Sequence, residues 1–98
     1  MAWDAEFVCN GQGIVVSTRG ISANEAKPIQ YLFSEQHSNL LMKANMAMER
    51  TGAVKGIIVQ KTGFMKARKI EVEIKWETHG VDRFNRPERT YFWFVKYF

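Results

Sequence analysis

Residues 69–77 read KIEVEIKWE, and their two-residue alternation limits the fold more than any other feature of the chain. Ile70, Val72, Ile74 and Trp76 fall on one parity, and Lys69, Glu71, Glu73, Lys75 and Glu77 on the other. Successive side chains of a strand point to opposite faces, so this run is a strand with one dry face and one wet one. The closing stretch, RPERTYFWFVKYF, breaks that rule. Tyr91, Trp93, Val95 and Tyr97 share one parity, and Phe92, Phe94 and Phe98 occupy the other. A strand apolar on both faces is central in its sheet, lies at a subunit interface, or offers its outer rings as a stacking platform for bases.

The other elements follow from the same patterns. Trp3, Ala5, Phe7 and Cys9 alternate with Asp4 and Glu6, NGQG supplies a turn, and Ile14, Val15 and Val16 begin a return strand. Ser22-Ala-Asn-Glu25 fits a capping box, but Pro28 is best tolerated in a first helical turn. Two starts therefore compete, a helix from about Ala23 and a short turn followed by a helix from about Lys27, and the second is expected for the main body. Ile29, Leu32, Phe33, Leu40, Leu41, Ala44, Ala47 and Met48 recur at helical spacing, with Gly52 as the stop. Unbroken from Pro28 to Thr51, such a helix would span roughly 36 Å. VKGIIVQK and MKARKIEVEIKWE flank a turn at TGF, and THGVDRFNRPE forms an eleven-residue loop before the last strand.

The expected fold is α+β: a β-β-α-β-β-β antiparallel sheet of about five strands, packed with one long helix, forming a single domain over residues 1–98. The expected helix carries a second apolar stripe. Tyr31, Met42 and Met46 lie nearly opposite its core face. Together with Phe92 and Phe94 they are the expected partner interface, in a homodimer or against another protein. A sheet that curls around the helix would instead bury both stripes.

Positive charge has its own pattern. With Thr62-Gly63 as a two-residue turn, Lys55, Ile57, Val59 and Lys61 share a face with Phe64, Lys66, Arg68 and Ile70. Cations interleaved with apolar side chains suit a phosphate backbone carrying stackable bases. Arg83, Phe84, Arg86 and Arg89 repeat the theme in the adjoining loop, the better candidate contact because Arg pairs bidentately with phosphate or stacks on a base. A solvated basic face, or lysines that discourage edge-to-edge pairing, explains the same residues without a ligand.

Catalytic patterns are weak. Glu73-Ile74-Lys75 resembles the carboxylate-x-Lys element of restriction-endonuclease-like nucleases, which implies a metal-holding carboxylate and a lysine that assists water. That resemblance covers three residues, and the preceding strand lacks the family's acidic ligand. Cross-strand pairing accounts for the same side chains. His37 reads as packed, and His79 with Asp82 as a base and orienter lacking a nucleophile. Two histidines and one cysteine match no zinc spacing, and NGQG runs into a strand rather than a phosphate-holding helix.

With 46% hydrophobic residues, a single cysteine and a formal charge of +4, the chain is expected to be soluble and cytoplasmic, with no leader or membrane span. No catalytic residue, metal or cofactor is expected. The expected function is low-specificity binding of single-stranded DNA or RNA. Lys61, Lys66, Arg68, Arg83, Arg86 and Arg89 would neutralise phosphates, and Phe84 or an aromatic of the last strand would stack. The alternative is a small adaptor or inhibitor of the kind phages and other mobile elements carry. It would dock on a host protein through the outer helix face and the closing strand.

Overall fold

The computed structural model describes residues 3–36 and 38–98, with side chains described outside 32–40 and 62. His37, read above as packed, lies outside the described residues, and the side chains of the expected core positions Leu32, Phe33 and Leu40 lie outside the described side chains. Seven elements follow one another: β1 (Ala5–Cys9), β2 (Val15–Arg19), α1 (Ala23–Gln36), α2 (Ser38–Met46), β3 (Thr51–Gly63), β4 (Lys66–Val81) and β5 (Pro87–Tyr97). The strands form one five-stranded sheet in the order β2-β1-β5-β4-β3, with every neighbouring pair antiparallel.

The aromatic strand β5 is central, between β1 and β4. Its odd residues join the dry parities of its neighbours, with Phe7 opposite Trp93 and Ile74 opposite Trp93 on the other side. Phe7 stacks on Trp93 with ring centroids 5.3 Å apart. Ile58, Ile70, Val72, Ile74 and Val95 complete the sheet side of the core, and Ala26 and Ile29 meet it from α1. Burial of these side chains, at about 1.5–3 kcal/mol for each large one, is what holds the helices to this face.

The α+β class and the antiparallel sheet match expectation. The single long helix does not. Two shorter helices replace it. The first helix starts at Ala23 rather than near Lys27. The Ser22 hydroxyl accepts the Glu25 amide at 3.2 Å, and the Ser22 carbonyl accepts that of Ala26 at 3.0 Å. This cap outweighs the one helical bond that Pro28, inside α1, cannot donate.

Gly52 is also not a helix stop. It lies in β3 opposite Trp76, where any Cβ would overlap the indole ring. The eleven-residue loop shrinks to Asp82–Arg86, because Thr78, Gly80 and Val81 pair with Arg89, Glu88 and Pro87. The Asp82 carboxylate closes this turn by accepting the amides of Phe84 and Arg86, each at 2.9 Å. Asn85 supplies the left-handed residue at φ 61°, a conformation Asn tolerates better than most.

Candidate nucleic-acid interface

The β3–β4 register decides which cations share a surface. Gly63 faces Lys66 across a two-residue turn of Phe64 and Met65, and a bulge lies between Lys61 and Gly63. Lys55, Ile57, Val59 and Lys61 therefore face Glu73, Glu71, Lys69 and Ala67, not Arg68 and Ile70. The expected carboxylate-free face over the whole hairpin is overturned: the turn lies two positions further on, which by itself keeps parity, and the bulge between Lys61 and Gly63 adds the single residue that reverses it. Glu71, Glu73 and Glu77 share that open face with the lysines.

Glu73 is only 8% exposed, held between Lys55 at 3.6 Å and Lys75 at 3.5 Å. The Lys55 contact is the cross-strand pairing that competes with a nuclease reading of Glu73 and Lys75, and the Lys75 contact runs along β4 itself. Beside them the outer rings of β5 are half-covered. Trp3 lies 6.0 Å from Phe94, Lys75 stands 5.3 Å over Phe94, and Lys55 stands 5.8 Å over Trp3. Phe92 and Phe94 thus sit on the sheet face opposite the helices. Tyr31, Met42 and Met46 are exposed on the helix layer. The expected partner surface is two surfaces, with the whole sheet between them.

The candidate contact residues divide in the same way. Lys61, Lys66 and Arg68 lie at one end of β4, and Arg83, Phe84 and Arg86 beyond the other. The sixteen residues of β4 span ~50 Å at ~3.3 Å each, close to the 46 Å long axis of the molecule. The hairpin and the arginine loop do not adjoin.

At the loop end, Arg83, Phe84 and Arg86 line an open cleft of ≈ 970 Å³ with the Asn10-Gly11-Gln12 turn and His79. The guanidinium carbons of Arg83 and Arg86 are each 5.0 Å from the centre of the Phe84 ring. Arg86 also pairs with Asp82 at 3.2 Å. The Arg86 amide, the Phe84 amide and the Arg86 charge hold the Asp82 carboxyl below its ordinary pKa, so this pair stays ionised well into acid. The His79 ring meets the Thr90 hydroxyl at 2.8 Å and is not bonded to Asp82. In the facing turn, the Asn10 side chain accepts the amides of Gln12 and Ile14, so those donors are already used.

Arg89 is not a phosphate contact. It is 5% exposed, and its guanidinium donates to the carbonyls of Ala44, Ala47 and Glu49 while its Nε donates to Thr78 Oγ1. The carbonyls that a helix end leaves unpaired, with the negative pole of its dipole, draw the cation inward. Trp76 stacks 5.5 Å from it and donates its own Nε1–H to the Glu49 carbonyl.

At the hairpin end, residues 59–69 contain Lys61, Lys66, Arg68 and Lys69 and no carboxylate. The last β4–β5 contacts are Ile70 opposite Tyr97 and the Phe98 amide on the Lys69 carbonyl. Beyond them β3 and β4 continue as a two-stranded ribbon whose tip residues, Phe64 and Met65, are 94% and 92% exposed. Arg68 is braced at the root, 4.4 Å over the Tyr97 ring and donating to Gln60. Lys69, Phe64 and Met65 were absent from the sequence-based contact set. The acid-free run 59–69 is the sequence signal for them; the bulge between Lys61 and Gly63 and the later turn are what it does not show.

The chain matches no protein-family model, and no curated protein or solved structure matches it significantly.

Proposed function

We propose that this protein acts by binding nucleic acid through backbone-directed contacts of low sequence specificity, without catalysis. The observation that supports this reading is the acid-free ribbon, with Lys61, Lys66 and Arg68 on the arm beyond the last β5 contact and Lys69 at its root. Lysine and arginine on such an arm displace counterions from phosphates, and contacts to phosphate carry no sequence information. Arg83 and Phe84, at the far end, supply a second and weaker contact.

The test is a salt titration of binding to labelled DNA and RNA. With about four phosphates neutralised, the logarithm of affinity should fall against the logarithm of salt with a slope of roughly −3 to −4. Lys61→Gln with Lys66→Gln should flatten that slope by about two. No binding at low salt, or a slope near zero, removes the reading.

The exposure of Tyr31, Met42 and Met46 supports a second reading, a docking face for another protein or a second copy of this chain. Adaptable methionine-bearing surface suits such a contact.

A further inference from the structure

We propose that the β3–β4 ribbon enters a groove of duplex DNA and that Phe64 and Met65 wedge between base pairs at its tip, bending the duplex. This inference rests on the nucleic-acid reading above and narrows it to one substrate class. Its first support is shape. Single strands are held by concave tracks with stacking platforms, whereas the ribbon is convex and two strands wide. Such a ribbon fits a duplex groove. The aromatic face of the sheet is a poorer platform, since Glu71, Glu73 and Glu77 lie on it among the lysines.

The second support is the distribution of charge. Lys61 and Lys69 fall on one face of the ribbon, and Lys66 and Arg68 on the other. A groove presents a phosphate strand on each side of an inserted ribbon, so cations on both faces find partners. A bilayer would meet the same ribbon end-on. Arg68 and Lys69, some three residues behind the tip, would then stand ~10 Å from the headgroups, about one screening length away.

The third support is the tip. Met65 holds φ at 57°, a left-handed conformation that glycine adopts without steric cost and methionine does not. An apolar side chain is thus kept, almost fully exposed, where glycine fits better, and Phe64 stands beside it. Apolar side chains projecting from a basic arm are what proteins use to unstack a base step and kink DNA.

The experiment uses the full chain with a short duplex carrying donor and acceptor dyes at its ends. Parallel arms use a duplex lacking flexible TpA steps, the matching single strand, and phosphatidylserine vesicles. The expected result is higher energy transfer on binding, with preference for the TpA duplex, since such steps kink most easily. Phe64→Ser with Met65→Gly should abolish the bend and weaken duplex binding roughly tenfold. Its salt slope should remain unchanged, which shows that the ribbon is still folded and charged. An unbent duplex, bending retained in the double variant, or tighter binding to the single strand or to vesicles would each overturn the proposal. If the protein binds nucleic acid in any of these ways, the broader reading survives; if it binds none at low salt, both fail.

Discussion

Arg89 and Arg83 are six residues apart and chemically identical, yet they do different work. Arg89 is sealed under Trp76 against carbonyls at and just beyond the end of α2, and Arg83 is exposed beside Phe84. Replacing Arg89 with Met takes this donor from the Ala44 and Ala47 carbonyls, while the Glu49 carbonyl keeps its bond from Trp76. Urea denaturation should show a loss of about 3 kcal/mol, while Arg83→Gln should leave stability within about 0.5 kcal/mol. Equal effects of the two changes would contradict the capping role. Cys9 offers a second check at this scale. Burial pushes its thiol from an ordinary 9.0 to about 11. The folded state thus keeps the proton while the unfolded state releases it. Its contribution is complete below pH 9 and is lost as pH rises toward 11, by up to about 3 kcal/mol. Cys9→Ala should flatten that alkaline fall, and native Cys9 should resist alkylation at pH 8 until the protein is unfolded.

Among the elements, β3 and β4 outrun the sheet that contains them. The rungs Gln60–Arg68, Lys61–Ala67 and Gly63–Lys66 have no β5 partner, and their side chains add little to the core. Replacing Lys61–Ala67 by Asn-Gly should keep the Gln60–Arg68 pair and close it with a favoured two-residue turn. The thermal midpoint should stay within a few degrees, and the salt-dependent part of nucleic-acid binding should fall sharply. Collapse of the fold would show instead that the ribbon is structural. The helices teach a different lesson. Periodicity placed apolar residues correctly at Ile29 and Ala44, but it did not show that Ser22 would cap a helix beginning five residues before Pro28. Caps and proline effects differ by only about 1–3 kcal/mol, so local reasoning ranks them poorly without the packing around them.

For the molecule as a whole, the important fact is separation. Basic and aromatic groups occupy both ends of a 46 Å axis, and the apolar excess of the helices is on the opposite side from that of β5. No helix among the described residues is long and apolar enough to cross a membrane. If the helix layer is an association surface, Tyr31→Glu with Met46→Glu should convert a dimer to a monomer in sedimentation. The same double change should leave ribbon-dependent DNA binding per chain unaltered. A sedimentation coefficient unmoved by the two charges would show that this stripe makes no contact. Because the ribbon and the stripe share no residue, each reading has variants of its own.

What the amino-acid order determined by itself was local and periodic. The alternation of residues 69–77, the two-sided apolarity of β5, the α+β class and the outward placement of Tyr31, Met42 and Met46 all follow from side-chain period and burial preference. Tertiary structure alone decided the turn at Phe64-Met65, the inward fate of Arg89, the shortness of the 82–86 connection, and the distance between the two arginine-bearing ends. Each of these depends on which backbone groups remain unpaired after the sheet has assembled. That remainder is set by long-range pairing, and neighbours in sequence do not reveal it.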